Sequence, residues 1–211
     1  MSNHAEIVEK NYLETVKASL RSALEKIDAR VRRYAKDIQE QKYALWDNKA
    51  DMDHAEKTTV RQAVHMSVLT GEAALAQKER LHKLTLSPYF GRFDFTEQGK
   101  TEPLAVYVGI YGFVDEESNT NLVYDWRAPV STMFYDYETG GAGYTSPSGV
   151  INGTITLKRQ YRIRKGQMEF MIESDISVMD NVLQEELSRT SDNRMKNIVA
   201  TIQREDRKSV V

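Results

Sequence analysis

The stretch Asn11-Tyr12-Leu13-Glu14-Thr15-Val16-Lys17-Ala18-Ser19-Leu20-Arg21-Ser22-Ala23-Leu24-Glu25-Lys26-Ile27 opens a run that continues to Leu86 and decides the fold. Its apolar residues recur at heptad spacing, in Leu13, Val16, Leu20, Leu24 and Ile27, then Val31, Tyr34, Ile38 and Leu45. Steps of three and four alternate, with one stutter between Leu20 and Leu24, so one narrow apolar seam persists along the helix. A second seam follows in Val60, Val64, Val68, Gly71, Leu75 and Leu81. A seam this narrow satisfies a single partner helix, and the nearest partner is the other half of the same run. The pattern therefore predicts an antiparallel two-helix coiled coil, a rod roughly 45–55 Å long at about 1.5 Å per residue. The small residues from Gly71 to Ala76 would let the two helices approach closely. Between the seams lies Asp47-Asn48-Lys49-Ala50-Asp51-Met52-Asp53-His54-Ala55-Glu56, whose four acids and one lysine make the expected tip acidic. Residues 1–10, by contrast, are polar and are expected to fray.

After Leu86 the period changes. Pro88 disfavours the helical region for Ser87 and ends the rod. From there to Ile172 the residues read as β. Tyr89 to Phe95 alternates aromatic with small or polar residues, and Leu104 to Val114 is β-branched and aromatic, with Gly109 and Gly112 marking bulges or close approach. Leu122 to Trp126 is a further strand, stopped by Arg127-Ala128-Pro129. Met133 to Tyr137 reads as another short strand and Gly140 to Gly143 as a loop. Gly153 to Arg164 alternates, and Lys165-Gly166 turns it into Gln167 to Ile172 as a hairpin. Two helices are expected after about Asp180. The fold class expected is α+β: a coiled-coil arm over residues 1–86, a small β-rich body over 87–176 and a short helical tail over 177–211.

Composition narrows the function. A net charge of -2 gives no global field toward nucleic acid or anionic membrane, so any such contact must be a local patch. The chain has no cysteine, which removes disulfides, thiolate metal sites and thiol nucleophiles together. The N-terminus lacks a signal peptide's basic region and apolar core, and no apolar run is long enough to span a bilayer. The expectation is a cytoplasmic protein with no membrane partner.

Five segments, taken in order, resemble one family. They are Ser87-Pro88-Tyr89-Phe90-Gly91-Arg92-Phe93-Asp94-Phe95, Val123-Tyr124-Asp125-Trp126-Arg127-Ala128-Pro129-Val130, Leu157-Lys158-Arg159-Gln160-Tyr161, Leu183-Gln184-Glu185-Glu186-Leu187-Ser188 and Met195 to Gln203. Together they are similar to the N-terminal part of the HelD family, bacterial RNA polymerase recycling factors related to UvrD-type superfamily 1 helicases. The resemblance implies a soluble bacterial transcription factor whose arm probes the polymerase secondary channel toward the catalytic Mg²⁺. It also implies that a nucleotide-binding core with a Gly-Lys-Thr or Gly-Lys-Ser phosphate loop follows the Ile-Gln segment. No such loop occurs in these residues, and Asp206 stands where the family has an adenine-sensing glutamine. ATP and Mg²⁺ are therefore expected only with a motor core, and this chain is expected not to be an enzyme. The apolar tail, lacking that motor, would favour self-association.

Three groups of residues are candidates for function. Asp47, Asp51, Asp53 and Glu56 at the tip offer the oxygen ligands that Mg²⁺ prefers, although Asp and Asn are also ordinary turn residues. Lys158, Arg162, Arg164 and Lys165 make a basic face on one hairpin that could bind DNA phosphates in a salt-sensitive way. A solvated sheet face would look the same, and aromatics interleaved on that face are missing from the strand. Asp125, Trp126, Arg127 and Pro129 form the most distinctive signature. They could be partner contacts, or a corner in which Trp126 is buried and Arg127 pairs with a carboxylate. The four histidines have no metal-pair spacing, so no metal site is expected. A truncated portion of a DNA helicase-like ATPase, its N-terminal region supporting the motor and binding DNA, is the alternative reading.

Overall fold

The computed structural model describes residues 2–47 and 52–173. The tail expected over 177–211 and Asp51 at the tip lie outside the described residues. The class is α+β: among the described residues two long helices, α1 (Ser2–Asp47) and α2 (His54–Leu86), precede seven strands. Two compact units result. One is Asn11–Thr85; the other joins the residues up to Lys10 with those from Leu86 onward. Residues 2–10 are therefore helical and belong with the β body, where the polar sequence suggested fraying.

In the helical unit the register is antiparallel. Lys78 Nζ lies 2.7 Å from Asp28 Oδ1, and Ser67 Oγ donates to Gln41 Oε1 at 3.1 Å. Gly71 faces Tyr34 and Ile38, and a Cβ built on it would meet Ile38 Cδ1 at 3.5 Å. The seam positions Leu13, Val16, Leu20 and Ile27 are buried, whereas Val31, Tyr34, Ile38 and Leu45 are half-buried. Two helices alone leave a seam partly wet. Since 3.5 Å is an ordinary contact distance, Gly71→Ala is expected to stabilise the arm by about 0.5–1 kcal/mol through helix propensity. A thermal melt that moves down instead would show that the helices need the glycine's close approach.

The body is a mixed sheet of β1 (Gly91–Glu97), β2 (Leu104–Gly109), β3 (Phe113–Asp115), β4 (Thr120–Asp125), β5 (Gly140–Ser146), β6 (Gly149–Arg164) and β7 (Gln167–Glu173). The order is β3-β4-β2-β1-β6-β5, with β7 also pairing β6. Among the described strands only β2 and β4 run parallel; the other pairs are antiparallel. β6 pairs β1 along one edge, and β5 and then β7 along the other. One face packs Phe93, Phe95, Val106 and Val108 against Met133 and Phe134.

Three sequence expectations change here. The run Leu104 to Val114 is two strands, because β2 stops at Gly109, where a Cβ would collide with the Pro88 carbonyl. Met133 to Tyr137 is not a strand: Pro129–Thr132 is a 3-10 turn leading into a short helix, α3 (Met133–Asp136). Met133 and Phe134 are both buried, and two buried neighbours fit a helical turn better than an alternating strand. Gly140 to Gly143 is not a loop but the start of β5, paired with β6 from Gly140↔Ile155 onward. Glycine hides the strand period. At Gly143 it is needed, since a Cβ would sit 2.9 Å from the Ile151 carbonyl.

Candidate functional site

The tip residues are placed by helix ends. Asp47 is the last residue of α1 and Asp53 directly precedes α2; Asp47, Asp53 and Glu56 are exposed. Glu56 N–H donates to Asp53 Oδ1 at 2.7 Å, and Asp53 N–H donates to Glu56 Oε2 at 2.9 Å. This reciprocal capping box satisfies two backbone donors that the helix start would leave unpaired. Asp53 and Glu56 thus have a structural duty at the tip, and the D-x-x-E spacing that signals it is readable in the sequence. Among the described residues no group of three or more acids and histidines is placed to hold a metal ion. Asp53→Ala is expected to lose about 1 kcal/mol of helix stability, and Asp53→Asn almost none, because asparagine caps equally well. Helicity followed on heating checks this pair.

The basic hairpin is divided by its environment. Lys158 does not face solvent: it is 5% exposed, and its Nζ donates to the Phe134 and Tyr137 carbonyls at 2.9 and 2.6 Å. The register explains the difference. Lys158 pairs with Phe93, which pairs with Val106, so its stem crosses the apolar layer and its ammonium finds the carbonyls beyond. Burial holds that ammonium below the usual lysine range, against the opposing charge of Glu138. Lys158 therefore leaves the set of nucleic-acid candidates. Arg162 stays partly exposed, with its guanidinium 5.0 Å from the Phe170 ring centroid. The aromatic neighbour missing from β6 thus comes from β7. Arg164 Nε lies 3.6 Å from Glu169 Oε2, and Lys165 is exposed in the turn. Lys165 and Gly166 both have positive φ, 51° and 70°, the backbone of a type I′ turn.

The Asp125 signature forms a corner. Arg127 donates through Nε and Nη2 to the two Asp125 oxygens at 2.9 and 2.8 Å, and its backbone N–H adds a bond at 2.9 Å. The Asp125 carbonyl accepts from Ser131 Oγ and from Ala128 N–H, while Trp126 N–H donates to the Gly109 carbonyl. Pro129 opens the 3-10 turn, and Trp126 packs partly buried on the apolar cluster. Burial would raise the Asp125 carboxyl, but the Arg127 bonds outweigh it and hold it below the usual carboxylate range.

The sheet's other face carries a polar cluster that sequence reasoning missed. Tyr107, Arg92, Arg159 and Glu173 form one transverse row across β2, β1, β6 and β7. Glu9, fully buried, accepts from Arg92, from Arg159 Nη1 at 2.8 Å and from the Tyr107 hydroxyl at 3.0 Å. Arg92 also forks to Asp94 at 2.7 and 2.9 Å, and Arg159 Nε reaches Glu173 at 2.9 Å. Tyr89, Tyr107 and Tyr161 pack ring on ring beside them. Burial, then the Glu9 charge, raises the Tyr161 phenol well above its usual range; burial, then Asp125, does the same for Tyr135. A phenol whose folded pKa is raised stabilises the fold fully below its unfolded pKa of 10.0 and loses that contribution as pH rises above it. Denaturant midpoints are therefore expected to fall between about pH 9 and about pH 11, and a flat profile would contradict these two environments.

Residues 7–188 match the family model described as the N-terminal domain of DNA helicase IV, HelD. The chain belongs to the HelD N-terminal domain family. No curated protein matches it. What is matched is the HelD N-terminal domain and not a motor domain. The match spans both the helical arm and the sheet, so both are parts of one HelD domain. No described helix of this HelD domain is long and apolar enough to cross a membrane.

Proposed function

We propose that this chain is the RNA polymerase-binding module of a HelD-type transcription recycling factor, acting in the bacterial cytoplasm without catalysis of its own. The observation that carries the reading is a two-helix arm whose second helix begins in a capped, acid-bearing turn. A thin rod with exposed carboxylates suits entry into a narrow channel that ends in a hard divalent cation. In this reading Asp47, Asp51, Asp53 and Glu56 face the polymerase, Asp53 and Glu56 also fixing the tip's shape. ATP and Mg²⁺ chemistry belongs to a motor core, so the chain alone hydrolyses no ATP.

The test is co-purification with bacterial core RNA polymerase, followed by a release assay. The triple variant Asp47→Asn, Asp51→Asn, Asp53→Asn removes charge while keeping a competent N-cap. Weakened release with unchanged helicity supports the reading; unchanged release refutes the tip's part in it, and failure to co-purify refutes the partner.

A second reading, support of a helicase motor with DNA contact, draws on the family's description and on Arg162 beside Phe170. Arg162, Arg164 and Lys165 would then contact phosphates, and binding of a short duplex would weaken steeply with salt. Absence of salt-dependent binding removes that reading.

A further inference from the structure

Among the described residues, the polar cluster on the sheet holds one more carboxylate than its cations require. Arg92 and Arg159 bring two positive charges, while Glu9, Asp94 and Glu173 bring three negative ones. Without Glu9 the sheet's own residues balance, because Arg92 keeps both Asp94 bonds and Arg159 keeps Glu173. Removing one partner of an ordinary buried ion pair strands the other, which is costly. Here the departure of Glu9 leaves each guanidinium a carboxylate partner, the Tyr107 hydroxyl gives up its bond to Glu9, and the departing carboxylate regains water.

The segment that carries Glu9 has little else to hold it. Of the side chains from His4 to Lys10, Glu9 alone is buried; Ile7 and Val8 are 49% and 45% exposed. The segment is also the first part of α1, and the leading N–H groups of a helix lack acceptors within it. Among the described side chains, Glu9 with its bonds to Arg92, Arg159 and Tyr107 therefore decides whether these turns stay on the body.

We propose that residues 2–10 are a detachable strap, helical turns fastened to the sheet by the Glu9 carboxylate and able to leave while the sheet remains folded. Asp94 and Glu173 make this two-state behaviour available, since they hold both arginines in either state.

Hydrogen exchange on the full chain tests it. Glu9→Gln is expected to lower amide protection within residues 6–12 at least tenfold, with β1 and β6 amides changed less than twofold. Protection lost equally in β1 and β6, or a chain that no longer folds, would make Glu9 part of the sheet's cooperative core and overturn the proposal. So would unchanged protection in residues 6–12. A second variant works in the opposite direction: Asp94→Asn with Glu173→Gln leaves both guanidiniums dependent on Glu9. Strap amides should then gain protection several-fold relative to the sheet; equal or lower relative protection counts against the strap.

Discussion

Arg92→Gln is expected to lower the body's stability by about 3 kcal/mol, the order measured when one partner of a buried ion pair is removed. The Arg92 side chain is 14% exposed, joins Glu9 and Asp94, and donates to the Tyr107 hydroxyl at 3.0 Å. Burial opposes its charge, yet Asp94 and then Tyr107 and Glu9 hold the guanidinium above its usual range. Losing it leaves Asp94, itself 15% exposed, without its fork, and a glutamine can replace only part of that geometry. In a melt the loss would appear as a drop of roughly ten degrees. Glu9→Gln, which leaves the sheet's own charges balanced, should cost the body far less. A larger loss from Glu9→Gln than from Arg92→Gln would reverse the assignment of which residue belongs to the sheet and which visits it.

Gly153→Ala is expected to be the most damaging single methyl in the body. Gly153 is held on both sides, by Glu97 in β1 and by Ala142 in β5, so β6 cannot move aside there. A Cβ would collide with the Thr96 carbonyl and approach the Phe95 ring to 2.6 Å. Overpacking usually costs about 1–3 kcal/mol, and a clash with backbone that is pinned on two edges belongs at or above the top of that range. Gly141→Ala is the control, since nothing lies within 4 Å of a Cβ there and its φ is not positive. If both substitutions shift the denaturant midpoint equally, steric crowding at Gly153 is not what limits that strand.

The heptads from Leu13 to Leu45, the break at Pro88 and the hairpin turn at Lys165-Gly166 were legible because each is local and periodic. The strand at Gly140 to Ser146 was not, because glycines carry no alternation and the strand is specified by the space β6 leaves for it. The same limit hid Glu9. A glutamate in a polar opening segment looks solvated, and its partners Arg92 and Arg159 lie 83 and 150 residues further along the chain. Lys158 was misread for a related reason, since strand alternation gives the face but not what covers it. The Asp53-x-x-Glu56 box, by contrast, is local, and its spacing alone marks it in the sequence.

The separation between Glu9 and Arg159 also sets an order of events during synthesis. The arm's contacts, such as Asp28 with Lys78, close soon after Lys78 has emerged, whereas Glu9 has no Arg159 until roughly eighty more residues follow. At about 5–20 residues per second that interval lasts several seconds or more. Throughout it the nascent chain can hold a paired rod while Glu9 stays in water, and seating that carboxylate can come only once most of the sheet has been made.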